Sequence, residues 1–379
     1  AELISVYVSL ELTSISLYAL VGFLKDARST EASLKYLLLG AVASAVLLFG
    51  MALIFGLTGE TQLSGIAQAI GGMSPAAVKA SPALILGVVM LVAGFGFKIA
   101  SVPFHMWVPD VYEGAPTPVT AYLSVGSKAA GFAIVLRVFF TAFGVPEWLS
   151  FNWAVIFTVL SAVGMTLGNV TALAQTNIKR MLGYSSVAQA GYIMVGLATM
   201  GLSSATDVVG RSSILFFLAS YSLTNMGAFI AIIASSNKPG SDLIEDYAGI
   251  GKRAPVLALA LTLCMVSLIG MPPAGGFMAK FYIFSGAVSQ GLLGLVIIAV
   301  LNSVMSAYYY LRVVKVMWTG EPASGDRVPS SWALRLALLL SCVGVLVLGV
   351  VPGWAMGLAQ LAARMFVSRR PPRRQVVIT

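Results

Sequence analysis

Ten apolar runs of about twenty residues or more follow one another with short connections between them: 3–24, 31–57, 82–106, 117–142, 151–173, 180–201, 212–235, 254–287, 288–311 and 331–351. Few folds survive that pattern. A helix of about 20 apolar residues matches the ~30 Å hydrocarbon core of a bilayer. In lipid the backbone must bond to itself, which leaves only helices and closed barrels. No outer-membrane type of strand alternation is present, so the expectation is an all-α, polytopic transmembrane helical bundle. The segment 352–367 is too short to span and has an amphipathic pattern, which places it on a surface. Composition agrees: 58% of the 379 residues are hydrophobic and 10% are charged, too few charges to cover a soluble domain. A soluble globular enzyme and a disordered chain are both excluded.

Charge fixes the orientation. The connections after the first, fifth, seventh and ninth runs hold Lys25, Arg28, Lys35, Lys179, Arg180, Lys238, Lys252, Arg253, Arg312, Lys315 and Arg327, whereas the opposite side holds Lys79, Arg137 and Arg211. The first set is the cytoplasmic or equivalent side. The tail, with Arg369, Arg370, Arg373 and Arg374, then falls on the other side, against the rule. The net charge of +9 is spread over these loops and the tail, not gathered in one patch, so no nucleic-acid partner is expected. Cys264 and Cys342 lie far apart in sequence inside apolar runs and read as small core residues. One histidine and no Cys-x-x-Cys or His-Glu-x-x-His spacing leave metals, haem and iron–sulfur clusters without ligands. The expectation is no cofactor and no metal in this chain, with chemistry confined to protons, ions or a partner's cofactor. The first run starts almost at Ala1 without a basic leader, so it is not a signal peptide, and earlier spans are expected upstream.

Two runs are interrupted. The third reads Phe95-Gly96-Phe97-Lys98-Ile99-Ala100-Ser101-Val102-Pro103, and the eighth reads Gly270-Met271-Pro272-Pro273-Ala274-Gly275-Gly276-Phe277-Met278-Ala279-Lys280. Proline and paired glycines break helices, and broken backbone at membrane depth is tolerated only inside protein or beside a wet cavity. The eighth run is also too long for one straight crossing. Lying five spans apart, the two cross in opposite directions. Broken helices at corresponding places in two halves point to an inverted-repeat transporter with two discontinuous helices. The expected division is 1–142, an incomplete first five-helix repeat; 143–315, the second repeat; and 316–379, a last span, the amphipathic segment and the basic tail. The plainer alternative is that Pro and Gly are simply common in membrane helices.

Four ionisable residues fall well inside runs: Glu11, Lys98, Lys128 and Lys280. Each uncompensated charge costs about 3 kcal/mol or more at the bilayer centre, so these should face the interior and carry function. Glu11 and Lys98 are the opposite charges among the four and form the expected pair. Burial disfavours the ammonium and a nearby carboxylate restores it, so a lysine whose partner moves away is a switchable proton carrier. A static ion pair is the alternative. Lys128 has no acid in its own helix and is the best candidate for a lysine that is neutral part of the time. His105 lies seven residues after Lys98, on about the same face if the helix continues past Pro103, where it could relay protons between Lys98 and Lys128. Capping at the span end is the competing role. Asp110 and Glu113 occupy a turn-rich loop; Asp110 is expected to cap or pair there, with a direct proton role as the alternative. Lys179 and Arg180 read as topology-setting loop charges, and Tyr308, Tyr309 and Tyr310 as an interface belt.

Five ordered stretches carry a family resemblance: KIASVPFHMWVPDVYEGAPTPV (98–119), SVGSKAAGF (124–132), QTNIKRMLGYSSVAQAGY (175–192), MPPAGGFMAKFY (271–282) and SAYYYLRV (306–313). The chain resembles the antiporter-like subunit N family of respiratory complex I, also called subunit 2 of NADH dehydrogenase, including its cyanobacterial and chloroplast forms, over nearly its whole length. The resemblance implies fourteen helices, of which these ten look like the fifth to fourteenth. It implies that Glu11, within SLELTSISLYAL (9–20), is the helix-five glutamate, that Lys98 and Lys280 are the lysines of the two broken helices, and that Lys128 is the central lysine. Many relatives have a titrating histidine where this chain has Gln189, so any relay there must use water or other groups. The implied function is proton translocation in an NADH- or ferredoxin-driven quinone oxidoreductase, as a subunit without a redox centre. Its partners would be neighbouring antiporter-like and small membrane-arm subunits and lipids, with quinone and NADH met only through partner subunits. The membrane would be a bacterial inner or thylakoid-type membrane. An Mrp-type cation/proton antiporter subunit shares the fold and is the alternative function; a passive membrane scaffold is the third.

Overall fold

The computed structural model describes residues 1–144, 147–202, 209–235, 242–321 and 331–367. Lys238, Arg327 and the basic tail at Arg369, Arg370, Arg373 and Arg374 lie outside the described residues. The described residues are helical apart from turns and two isolated bridges. In chain order the helices are α1 (Leu3–Val21), α2 (Ala27–Thr58), α3 (Leu63–Gly71), α4 (Pro75–Lys79), α5 (Pro82–Ile99), α6 (Trp107–Gly114), α7 (Thr117–Tyr122), α8 (Lys128–Ala142), α9 (Glu147–Leu173), α10 (Ile178–Leu202), α11 (Val209–Ser235), α12 (Ile250–Arg253), α13 (Pro255–Ile269), α14 (Gly275–Ser289), α15 (Leu293–Thr319), α16 (Trp332–Val350) and α17 (Gly353–Val367). Among the described residues, eight helical segments are long and apolar enough to cross a membrane, with α7 and α8 counted as one. The pair α13–α14 and the 25-residue α10 make up the other two crossings expected from the sequence.

Local chemistry sets the ends. Asp26 caps α2 by accepting from the Ser29 backbone N–H at 2.7 Å, and Gly59 closes that helix in the left-handed region. Ser81 caps α5 with Pro82 at its first position, and Ser331 caps α16. Both expected breaks are present. α5 stops at Ile99, where Ala100 turns left-handed, and helix resumes only at Trp107 in α6. α13 stops at Ile269, where Gly270 takes φ +90°, and α14 starts at Gly275. A third irregularity was not legible: a π-helical turn, Leu123–Ser127, joins α7 to α8 directly before Lys128. A π-turn inside a helix often marks a functional site.

The interior is built on α10. Of Ile178–Gly201, all but Arg180 and Tyr184 are buried, so this helix is enclosed by others rather than by lipid. Small residues let α9 lie against it. A Cβ on Gly168 would meet the Ala188 nitrogen at 2.6 Å, one on Gly191 would meet the Met165 nitrogen at 2.6 Å, and Ser161 donates to the Gly191 carbonyl at 2.7 Å. α1, α2, α15 and α16 instead carry many exposed Leu, Val and Ile side chains, the pattern of a lipid-facing rim. α17 buries Ala359 and Ala363 against the bundle while Trp354, Leu358 and Leu361 stay exposed, as expected for a surface helix.

One end of the bundle is tied by ion pairs. Asp110 and Glu113 on α6 meet Arg180 at 2.6 and 3.0 Å, Lys35 meets Asp110 at 2.8 Å, and Arg28 meets Glu113 at 3.2 Å. The pairing expected of Asp110 is present and Glu113 shares it, although both acids lie on the helix α6 and not in the expected loop. Lys179 departs from its reading as a loop charge: it is buried, faces Asp242 at 3.1 Å and donates to the Ala115 carbonyl at 3.0 Å. These contacts gather the connections predicted to be basic onto one face. Tyr309 and Tyr310 are also corrected. Both are fully buried, because α15 turns them toward α9 and α10, and only Tyr308 is exposed.

Candidate functional site

Three stations, around the buried lysines Lys98, Lys128 and Lys280, occupy the interior. The first lies where α1 meets the end of α5. Lys98 is in the last turn of α5, and its Nζ lies 3.7 Å from Glu11 Oε1. It also donates to the Ser14 hydroxyl, which sits one turn beyond Glu11 on α1. Ser44 of α2 donates to the same Glu11 oxygen at 2.6 Å. Glu11 is 22% exposed and Lys98 is 6% exposed, so the carboxylate is the member of the pair nearer the surroundings. The expected pair is formed directly, with one hydroxyl beside each member.

The second station is Lys128. It begins α8 directly after the π-turn and points at α10, where it donates to both the backbone carbonyl and the hydroxyl of Ser186. Among the described residues it has no carboxylate in salt-bridge range. Ser186 is a junction. Its hydroxyl lies 3.1 Å from the Tyr112 hydroxyl of α6 and accepts from Tyr221 of α11 at 3.2 Å, and Asn225 donates to Tyr221 at 3.2 Å.

The third station follows from helix geometry. The last four carbonyls of a helix have no partner within it. Past Ile269 the chain turns back, and the Gly270 and Met271 N–H groups bond to Val266, with Gly270 reaching Ser267 as well. The Leu268 and Ile269 carbonyls remain free, and Lys280 takes them at 3.2 and 2.8 Å. Its third donor goes to Ser303 at 2.8 Å, and its ammonium lies 4.4 Å from the centre of the Tyr192 ring. The negative end of the α13 dipole thus substitutes for a counter-ion. Gly270 is needed twice over. Its φ suits glycine, and a Cβ there would stand 2.8 Å from Lys280 Cδ.

α10 joins the second and third stations. Gln189, one turn from Ser186, donates to the Leu268 carbonyl at 3.0 Å, the same oxygen that Lys280 uses. Ser185 pairs with the buried Tyr310 hydroxyl. Tyr309 donates to Asn169 at 2.9 Å, and Asn169 donates to Tyr192 at 3.1 Å. Lys128, Ser186, Gln189, the Leu268 carbonyl and Lys280 therefore form a nearly continuous polar line through an otherwise apolar core. Sequence reasoning missed Ser186, Ser303, Tyr112 and Tyr221. One signal was present: Ser185, Ser186, Gln189 and Tyr192 recur at helical spacing within one run.

His105 is not stacked over Lys98 by a continuing helix, because α5 ends at Ile99 and the residue lies in the turns before α6. It is buried, and its Nδ1 has no hydrogen-bond partner. Among the described residues no group of three or more His, Cys, Asp or Glu side chains is placed to hold a metal ion.

The model of the transmembrane family NADH:quinone oxidoreductase/Mrp antiporter matches residues 1–306. NADH-quinone oxidoreductase subunit N of Dehalococcoides mccartyi is 51% identical over 367 residues, covering 97% of this chain and 76% of its own length. NAD(P)H-quinone oxidoreductase subunit 2 of Synechococcus elongatus is 42% identical, covering 100% of this chain and 73% of its own. Among solved structures, a chain of respiratory complex I from Thermus thermophilus with bound aureothin superposes with a TM-score of 0.78 at 35% identity, over 93% of this chain and 74% of that one. A chain of the Mrp complex from a Dietzia species superposes with a TM-score of 0.82 at 22% identity, over 97% and 74%, a likeness of fold.

Proposed function

The chain belongs to the NADH:quinone oxidoreductase/Mrp antiporter transmembrane family, and on that premise we propose that it is the antiporter-like, proton-translocating subunit of a membrane-bound NADH- or ferredoxin-driven quinone oxidoreductase. In this reading it holds no redox centre and no cofactor of its own. Partner membrane-arm subunits bring the energy of quinone reduction, and NADH and quinone are met only through partners. The repeats divide as 1–142 and 143–315, with 316–379 as a closing segment.

One observation carries the reading: three buried lysines are each held by groups that can pass or receive a proton, and two of them share a polar line along α10. Glu11 holds Lys98 charged while it stays near. Withdrawal of that carboxylate leaves the ammonium among hydroxyls and apolar side chains, and the proton is then expelled inward. Lys128 receives it, the Ser186 hydroxyl carries the next exchange, water takes it past Gln189, and Lys280 delivers it at the second break. A serine hydroxyl both donates and accepts, so Ser186 can hand a proton on by rotation. Gln189 does not titrate and serves by holding the Leu268 carbonyl in place. His105, with Nδ1 free, is a further proton-accepting group beside the first break.

The test is quinone-reductase activity and proton pumping in membranes carrying single Ala substitutions at Glu11, Lys98, Lys128 and Lys280. Loss of pumping while the complex still assembles supports the reading. Full pumping by all four variants contradicts it. An Mrp-type role predicts sodium transport coupled to protons, measurable in the same vesicles.

A further inference from the structure

A concave groove of about 560 Å³ lies between α14 and α15. Phe277, Phe281 and Val288 form one wall and Val296, Val300 and Val304 the other, with Gly270, Lys280 and Ser303 at the closed end. Phe281 and Val304 are 53% and 68% exposed, so the mouth opens on the apolar outer surface of the bundle. At 1.5 Å per residue, the stretch from Phe277 to Val288 runs roughly 16 Å, about half of a ~30 Å hydrocarbon core. α14 starts at the break, at membrane depth, and runs away from the face tied by the ion pairs. The groove therefore follows the depth of the leaflet opposite the basic face.

The chemistry at its closed end selects the occupant. An ammonium has three donors, and those of Lys280 go to Leu268, Ile269 and Ser303. Ser303 in turn donates to the Ile269 carbonyl at 2.8 Å. No ammonium donor is left for an anionic headgroup, the Ser285 hydroxyl on the wall donates to the Tyr282 carbonyl, and the rest of the walls is hydrocarbon and ring surface. We propose that this groove is a lipid site, filled by one acyl chain of a membrane lipid in the leaflet opposite the basic face, with the chain end resting near Gly270 and Ser303. The chain closes the lateral approach to Lys280, so water cannot reach that ammonium from the bilayer side and its proton exchanges only through the interior. That second role rests on the proton-translocation reading; the binding does not.

The assembled complex in phosphatidylcholine vesicles tests it, with a diazirine placed either at the end of one acyl chain or next to its carbonyl. The chain-end probe should label the Met271–Phe277 and Ser303–Ala307 stretches several-fold more than the exposed Leu339 and Leu340 of α16. The carbonyl-proximal probe should label nearer Val288 and Val296. Val300→Trp, which fills the groove, should lower chain-end labelling there to the α16 level. If that variant does not assemble, the position-dependent labelling of the unmodified complex decides alone. Labelling no stronger than on α16, or labelling that ignores probe position, marks ordinary annular lipid and overturns the proposal. A groove that no lipid probe reaches is covered by protein, which also overturns it. Proton pumping in the Lys280 variants is a separate readout, so failure of the functional reading leaves the labelling result standing.

Discussion

The two broken helices hold a buried ammonium in opposite ways. The first carries Lys98 on its upstream half and supplies a carboxylate, Glu11, from a neighbouring helix. The second carries Lys280 on its downstream half and supplies the carbonyls that the break itself sets free. A charge balanced by a mobile acid can be unbalanced by moving that acid. A charge held by backbone dipoles is fixed for as long as the backbone stays broken. Under the proposed function the first site switches and the second receives, and the left-handed residue at each break fits that division. Ala100 occupies that position in the first break, with the side chain of Lys98 directed elsewhere, whereas in the second Gly270 makes room for the Lys280 side chain.

The sharpest way to break this comparison is Lys280→Ala. It removes one of two donors from each of the Leu268 and Ile269 carbonyls, which keep Gln189 and Ser303, and it empties a buried position that the Lys280 side chain fills, a core truncation that costs roughly 0.5–3 kcal/mol. Pumping should fall at least tenfold, and the amount of assembled complex should fall with it. Lys98→Ala should stop pumping with better assembly, because Glu11 is partly exposed and keeps Ser44. Equal assembly of the two variants on a native gel would remove the distinction.

Next in size is the coupling of Glu11 to Lys98. Contacting residues in one network couple by roughly 0.5–3 kcal/mol. Glu11→Ala on a Lys98→Ala background should therefore add little further loss of pumping, and Glu11→Gln should be milder than Glu11→Ala because Ser44 can still donate to its carbonyl oxygen. Additive losses in the double-mutant cycle argue against a working pair.

Glycine gives a smaller and more local effect. Gly270→Ala faces both the φ penalty, about 1 kcal/mol or more, and the Lys280 side chain, and should lower thermal stability of the complex. Ala100→Gly relieves a left-handed alanine while loosening the unfolded chain, so its net change should lie within about 0.5 kcal/mol. The reverse order in a thermal-shift measurement would contradict the account of the two breaks. The smallest effect belongs to the basic face. Asp110→Asn weakens pairs with Lys35 and Arg180 that are partly exposed, and pairs of that kind are worth about 0.2–1 kcal/mol. Pumping should persist, with a slight loss of stability that high salt removes.

Much of this was legible in the sequence for a physical reason. Span boundaries and the two breaks follow from hydropathy and from proline and glycine, which act locally, and the structure places most of them within a few residues; the third run, expected over 82–106, ends its helix at Ile99, and the ninth, expected over 288–311, lies at Leu293–Thr319. The four buried charges stood out because lipid penalises them so heavily. Direction was harder. Hydropathy does not say which way a helix faces, so Tyr309 and Tyr310 read as a belt when they point inward. The small polar residues of α10 scarcely dent its apolarity, so Ser186 was overlooked although three side chains converge on its hydroxyl. The π-turn before Lys128 has no proline and only Gly126 to mark it, and His105 would stack over Lys98 only on a helix running past Pro103, whereas α5 ends at Ile99.

Everything converges on Lys128, which stands between the switching and the receiving site and has Ser186 rather than an acid as its partner. The decisive measurement is protons pumped per quinone reduced by the Lys128→Arg variant, alongside the amount of complex assembled. Arginine keeps the positive charge and the capacity to bond Ser186 but does not release its proton. The account predicts an assembled complex that reduces quinone with a diminished proton yield, close to that of Lys128→Ala. A full proton yield from Lys128→Arg would show that no proton passes through this lysine and would contradict the account.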